Sequence, residues 1–425
     1  MNEQHIMEPG NVNWLESGGD YYSRLADAHQ TPFYLYDIAA MRQRVEAVRS
    51  ASAGLADVYY AVKANPNLAL LEALHGCVDG LDISSGGELQ QSLAAGYDAA
   101  CLSFAGPAKT MDELEQSVAA GVGHISIESV RELDDCIAAA RKLGKPAEIV
   151  LRVNPEFLNR AFGLKMGGRA VQFGVDEECL GEVLPKIAAA SDALRFHGIH
   201  IYAGSQCFEA AAVVDGVKNT LRIAQQIERD SALVCRVINL GGGFGISHTE
   251  VDKALLLGEL GPLLTPVLRD FRASAAGERT IVFELGRYLS ADAGLYVTRI
   301  VSAKASRGKQ FFTADGGLHH HLAAAGTFGA AFRSNFLLAN LTRPDAGPIK
   351  CSIAGPSCNP TDLLASNAMI AEPRAGDLIG VLRSGSYGLT ASPIQFLGRR
   401  TPVELIKDGG DVRVARQARG ILDLN

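Results

Sequence analysis

The sequence predicts an α/β protein in two parts, a closed (β/α)8 TIM barrel of parallel strands and a mostly β domain. Three observations lead there. From residue 38 to about 290, short β-branched runs alternate with Ala/Leu/Glu-rich helical stretches. Eight strand candidates occur in that span, the number that closes a parallel barrel. After residue 290 the alternation stops, and strand-like runs follow one another without long helices between them. A doubly wound open sheet is the alternative for the first part.

The strands of the first part are predicted at 57–62, 81–84, 101–105, 124–127, 148–153, 197–202, 235–240 and 280–284. Helical periodicity appears at 38–51, 86–96, 110–121, 129–143, 178–190, 208–229 and 251–273. Further strands are predicted at 294–304, 310–314, 349–354, 378–383 and 402–406, and Phe33-Tyr34-Leu35-Tyr36 reads the same way. The expected division is therefore a barrel over 38–290 and a β-rich domain built from 1–37 and 291–425. Leu318 to Gly347 is the least regular stretch and reads as a substrate-facing loop.

Composition narrows the function. A 425-residue chain with 47% hydrophobic residues can bury a large core. Its net charge is -7, with acids and bases mixed and no basic block, which argues against nucleic-acid binding. The eight cysteines form no C-x-x-C pair, so no zinc site is expected, and scattered thiols suggest a cytoplasmic address. Met1 to Gly19 lacks the basic start and apolar core of a signal peptide, and no apolar run is long enough to span a bilayer.

Chemistry in a barrel gathers at the C-terminal ends of the strands, and unusual residues fall there. Lys63 follows the first strand in Tyr60-Ala61-Val62-Lys63-Ala64-Asn65. A poorly solvated amine at that place suits Schiff-base formation; a surface lysine opening a loop is the alternative. Asp82 and Glu88 flank Ser84-Ser85-Gly86-Gly87 after strand two, Arg152 closes strand five, and His200, Tyr202 and Ser205 follow strand six. Gly241-Gly242-Gly243 after strand seven lets backbone N–H groups approach an anion, or is simply a tight turn. Arg287 supplies a bidentate phosphate partner nearby. Glu284 ends strand eight, where a core prefers an apolar residue; it suits a pyridine nitrogen that must stay protonated, or a salt bridge to Arg287 or Arg152. In this order the parts make a site for pyridoxal phosphate.

These motifs resemble the fold-type III pyridoxal-phosphate decarboxylases, the family of ornithine and diaminopimelate decarboxylases. The likeness runs from about Pro32 to Glu404. Besides those above it includes Gly204-Ser205-Gln206, Glu284-Leu285-Gly286-Arg287-Tyr288, Asp315-Gly316-Gly317, Gly355-Pro356-Ser357-Cys358 and Gly385-Ser386-Tyr387-Gly388. The resemblance implies an alanine-racemase-like barrel with a C-terminal β domain, working as a homodimer with shared active sites. It implies that Lys63 carries the cofactor and Glu284 pairs with its ring nitrogen. Ser205, Gly241, Gly242, Gly243, Arg287 and Tyr387 would hold the phosphate. Asp82, Arg152, His200, Tyr202 and Gly286 would complete the pocket. Cys358 would return a proton to the α-carbon from the partner subunit.

Two departures bear on the substrate. The family places a histidine over the cofactor ring where this chain has Tyr202, and an Asp or Glu after the interface cysteine where it has Asn359. A neutral amide does not select a second ammonium, as ornithine, lysine or diaminopimelate would require. Both departures resemble a branch acting on derivatised amino acids in natural-product pathways, including aminoacyl groups on carrier proteins. That match includes Lys165-Met166-Gly167-Gly168, Arg333-Ser334-Asn335 and Ser392-Pro393-Ile394-Gln395-Phe396-Leu397-Gly398. The expected reaction is decarboxylation of a conjugated L-amino acid, for example a carrier-linked glutamyl group, with Arg333 anchoring a carboxylate or phosphate. His319-His320-His321 invites a metal reading, but adjacent residues alternate direction in an extended segment, so no metal is expected and His319 is assigned to the substrate loop. A free diamino-acid decarboxylase, a racemase on the same barrel and a non-enzymatic pyridoxal-phosphate-binding regulator are the competing readings. Glu284 argues against the racemase, which faces the ring nitrogen with arginine; the second domain argues against the regulator.

Overall fold

The computed structural model describes residues 9–157, 161–249, 254–274, 277–325 and 334–423. Two compact units emerge: Arg44–Ile246 with Lys253–Tyr288, and Met1–Gln43 with Ser247–Asp252 and Leu289–Asn425.

The first unit is the barrel. Its strands are β1 (Asp57–Ala61), β2 (Gly80–Ile83), β3 (Leu102–Phe104), β4 (His124–Ile127), β5 (Ala147–Asn154), β6 (Leu194–His200), β7 (Val237–Asn239) and β8 (Thr280–Leu285). Each pairs in parallel with the next, and β8 pairs in parallel with β1, so the ring closes and the open-sheet alternative falls away. Tyr59, Val150, Val237 and Val282 form a buried apolar cluster. Two residues further along three of those strands stand Arg152, Asn239 and Glu284, because there the interior becomes a site.

Local chemistry fixes the helices. Ser85 caps Gly86–Ala94 by accepting from Glu88 N, while the Glu88 carboxylate accepts from Ser84 N at 2.6 Å. The Ser84–Glu88 motif is thus a helix start that positions the end of β2. Thr110 and Glu113 make a full capping box on Met111–Ala120. Val130–Leu143 ends on Gly144 in the left-handed conformation that glycine adopts without strain.

The second unit is a sheet in the order Leu363–Ala371, Pro348–Ala354, Lys309–Ala314, Gly294–Ser306, Phe33–Asp37, Val403–Asp408, Asp411–Arg416. Leu378–Val381 also pairs with Gly294–Ser306 and carries Leu338–Asn340. Trp14, Tyr22, Phe33, Leu35, Leu295, Val297, Leu378 and Leu405 pack together as its core.

Candidate active site

Polar side chains gather inside the C-terminal end of the barrel. Glu284, at the end of β8, is buried. One of its oxygens accepts from Ser103 Oγ at 2.9 Å and Asn239 Nδ2 at 2.5 Å. His200 Nε2 lies 3.2 Å from the other, and His200 Nδ1 lies 3.0 Å from Ser126 Oγ. β3 and β8 are not neighbours, nor are β4 and β6, so these contacts cross the barrel interior. Burial alone would raise the Glu284 carboxyl; His200, Lys63 and the Asn239 hydrogen bond overcome it and hold it down to about 2. The arrangement offers a fixed anion at the barrel's centre.

Lys63 sits in a 3-10 turn, Val62–Ala64, directly after β1. Its Nζ lies 2.5 Å from Asp82 Oδ2. The expectation of a poorly solvated amine is corrected: the Lys63 side chain is 41% exposed and faces a carboxylate. Its aim at Asp82 sets it apart, not desolvation. Asp82 is buried, and burial together with the nearby negative Glu284 pushes its carboxyl up to about 7 against the pull of Lys63. The short contact by itself would argue for a lowered value, but burial is the larger effect.

Arg152 pairs with Glu128 at 2.7 Å and lies over the Phe173 ring, 4.9 Å from its centroid. Glu128 also accepts from Gly106 N at 2.6 Å and Gly174 N at 3.3 Å, so it ties the loops after β3 and β5 together. The glycine loop is built by close approach. A Cβ at Gly242 would lie 2.0 Å from the Glu284 carbonyl oxygen, and one at Gly243 would lie 2.0 Å from the Gly204 carbonyl oxygen. Gly241 has φ +61, and a Cβ there would meet the Tyr202 ring at 2.8 Å. Tyr202 therefore lies against the loop, Ser205 stands in the adjoining strand Gly204–Cys207, and Arg287 opens the short helix after Gly286.

In the β-rich unit, Asp362 organises two predicted motifs. Its carboxylate accepts from Leu318 N at 2.7 Å and Ser357 N at 3.0 Å. A Cβ at Gly317 or Gly355 would meet that carboxylate at 2.4 Å or 2.2 Å, which explains both glycines. The loop so held presents Cys358 to solvent. Asn359 Oδ1 accepts from Thr361 N at 3.0 Å and Thr361 Oγ1 at 2.9 Å. Tyr387 has φ +51, between glycines 385 and 388. The three histidines are buried. His320 Nε2 bonds the Arg400 carbonyl and His321 Nε2 bonds Ser384 Oγ, each at 2.8 Å, so they turn to different partners. Neither ring nitrogen of His319 has a partner among the described residues. Burial pushes His320 and His321 down to about 3. Among the described residues no group of three or more His, Cys, Asp or Glu is placed to hold a metal. Arg333 lies outside the described residues.

Sequence reasoning missed Ser103, Ser126, Glu128, Asn239 and Asp362. The first four lie on predicted strands or just beyond one, at positions sharing the period of the site residues, and that period was the available signal. Asp362 carried none.

The model for the pyridoxal binding domain of pyridoxal-dependent decarboxylases matches residues 38–291. The chain belongs to the pyridoxal-dependent decarboxylases. It is 36% identical over 398 residues to an L-glutamyl-[BtrI acyl-carrier protein] decarboxylase of Niallia circulans, covering 92% of each chain. It is 31% identical over 416 residues to the diaminopimelate decarboxylase of Pseudomonas aeruginosa, covering 96% of this chain and 95% of the relative. Its backbone is similar to the crystal structure of diaminopimelate decarboxylase from Helicobacter pylori complexed with L-lysine: TM-score 0.85 at 27% identity, over 95% of this chain and 98% of that one. This decarboxylase is thus an enzyme that uses pyridoxal phosphate, on an alanine-racemase-like fold.

The residues present fit that cofactor. Asp82 Oδ1 is buried at the barrel mouth with no hydrogen-bond partner among the described residues, beside the one lysine that follows β1. A buried unpaired carboxylate oxygen is costly, and a polar ligand group relieves it. Glu284 supplies the anion that a pyridinium nitrogen needs.

Proposed function

We propose that this decarboxylase removes the α-carboxylate of an L-amino acid whose side chain is conjugated, a glutamyl group on a carrier protein being the leading case. One observation carries the reading: the loop after Cys358 offers no carboxylate for a second ammonium. Asn359 is neutral, and its amide oxygen is engaged by Thr361. Asp362 is buried, with one carboxylate oxygen on Leu318 N and the other on Ser357 N. A diamino acid would place its distal charge there at a desolvation cost with nothing to offset it; a neutral thioester would not. The greater identity to the carrier-linked glutamyl decarboxylase than to the diaminopimelate enzymes supports the same reading.

Chemistry then fixes how the substrate is joined. The α-amine must be free to displace Lys63, and the α-carboxylate must be free to leave. A glutamyl group therefore has to be linked through its side-chain carboxyl, and the product is a carrier-linked 4-aminobutyryl group.

We assign the roles as follows. Lys63 would hold the cofactor covalently. Gly241–Gly243, Ser205, Arg287 and Tyr387 would bind its phosphate. Glu284, kept ionised by its neighbours, would pair with the ring nitrogen. Bound pyridoxal phosphate supplies the electron sink for the pair released as carbon dioxide departs. Cys358, exposed on its loop, returns a proton to the α-carbon, from the partner subunit of a homodimer. Eight free thiols support a cytoplasmic address.

Replacing Asn359 with Asp tests the assignment. Activity on lysine or diaminopimelate relative to the glutamyl conjugate should rise by roughly tenfold or more, the worth of one charge-assisted contact. Unchanged relative rates would remove Asn359 from the specificity argument.

A further inference from the structure

We propose that Gln206 is a positioning residue for the cofactor's phosphate: its side-chain amide locks the Gly204–Cys207 strand onto the glycine loop, so that Ser205 and the loop's N–H groups converge on one phosphate monoester. This rests on the phosphate assignment made above and adds what holds the two halves of that cradle in register.

Conformation is the first observation. Gln206 has φ +60, in the left-handed region that glycine enters freely and a long side chain enters at a cost. Glycine would suit that backbone, so glutamine has to contribute through its side chain. Hydrogen bonding shows how. Gln206 Nε2 donates to the Ile246 carbonyl oxygen at 2.9 Å, and Gln206 Oε1 accepts from Ile246 N at 3.1 Å. One amide thus serves both backbone groups of the residue after Gly245, as a neighbouring strand would. The pairing leaves the amide a single orientation, since its nitrogen only donates and its oxygen only accepts.

Placement is the second. The strand Gly204–Cys207 pairs with Phe162–Lys165 in a two-stranded sheet outside the ring of barrel strands, so the ring does not set its place over the loop. Contact with the loop itself does. Cys207 N donates to the Gly243 carbonyl oxygen at 2.9 Å, and Gly245 N donates to the Cys207 carbonyl oxygen at 2.7 Å. A Cβ at Gly245 would lie 2.6 Å from that same Cys207 oxygen, so the two backbones touch. Gln206 adds two side-chain hydrogen bonds to this pair of backbone ones.

The chemistry connects the lock to the anion. Ser205 directly precedes Gln206, and Gly241–Gly243 lie just before the segment that Gln206 clamps. Donors on two separate segments bind a phosphate well only when both are aimed at one point. With the two ends of its amide on Ile246, Gln206 acts through the cradle.

The test uses the whole chain, freed of cofactor, and two ligands, pyridoxal phosphate and pyridoxal. Both offer Lys63 the same aldehyde and differ by the phosphate. Dissociation constants are read by equilibrium dialysis. The parent should prefer pyridoxal phosphate by roughly hundredfold or more, since several charge-assisted hydrogen bonds are at stake. Gln206→Ala and Gln206→Gly should each cut that preference by roughly tenfold, with pyridoxal affinity within about twofold of the parent's. The glycine variant separates the amide from the backbone, because glycine is at ease at φ +60. Equal losses for both ligands, an unchanged preference, a loss in the alanine variant that the glycine variant does not share, or failure of both variants to fold would overturn the assignment. Ser205→Ala and Arg287→Ala report on the reading beneath it. If both keep the parent's preference, the phosphate assignment itself fails; if they lower it and the Gln206 variants do not, only the role of Gln206 falls.

Discussion

At the level of single residues, the pair Lys63 and Asp82 is the most sensitive feature. The Asp82 carboxyl in the folded chain titrates near 7, above its ordinary value of 3.8. Between those values the folded protein holds a proton that the unfolded chain has released, so stability falls as pH rises through that window. Glu284 has the opposite sign: its value near 2 lies below the ordinary 4.5, and its contribution is present above that value and lost toward strong acid. Urea unfolding of the cofactor-free protein from about pH 5 to about pH 7.5 should show the parent losing stability that Asp82→Asn does not lose. Parallel curves would contradict the assignment. Lys63, Asp82 and Glu284 were legible in the sequence because charged residues at strand ends stand out against an apolar background. Ser103, Ser126 and Asn239 were not, since a small polar residue on a strand is commonplace until the ring closes and brings Ser103 and Asn239 to Glu284 and Ser126 to His200.

At the level of elements, the glycine loop after β7 depends on missing side chains. Adding one methyl at Gly242 places a carbon 2.0 Å from the Glu284 carbonyl, so either the loop or the end of β8 must move. Gly242→Ala should cost about 1–3 kcal/mol in thermal stability and speed cofactor loss on desalting. Parental melting and retention would show that the loop yields without consequence. Six of the eight barrel strands were legible because a helical stretch of clear periodicity follows each; 57–62 and 280–284 were read from their own apolar runs. Other elements were hidden for local reasons. Leu363–Ala371 holds only one β-branched residue, Ile370, and reads as an alanine-rich segment. Gly204–Cys207 pairs with Phe162–Lys165 in a two-stranded ribbon outside the ring, and strands so short carry little pattern. Asp411–Arg416 alternates polar and apolar residues and could have been read from its period.

At the level of the whole molecule, the described residues include no helix long and apolar enough to cross a membrane. The likeness to the carrier-linked glutamyl decarboxylase and to the diaminopimelate enzymes extends over nearly the full chain, so reaction class follows from the fold and its lysine. Substrate choice does not; the proposed reading rests it on Asn359 and its loop. The most direct measurement is carbon dioxide release by the purified, cofactor-loaded protein. It would be offered free lysine, ornithine, diaminopimelate and glutamate, and glutamyl conjugates on pantetheine and on carrier protein. The account predicts rapid release from the side-chain-linked conjugates and little from the free amino acids. Rapid release from a free diamino acid, with the conjugates left intact, would contradict it.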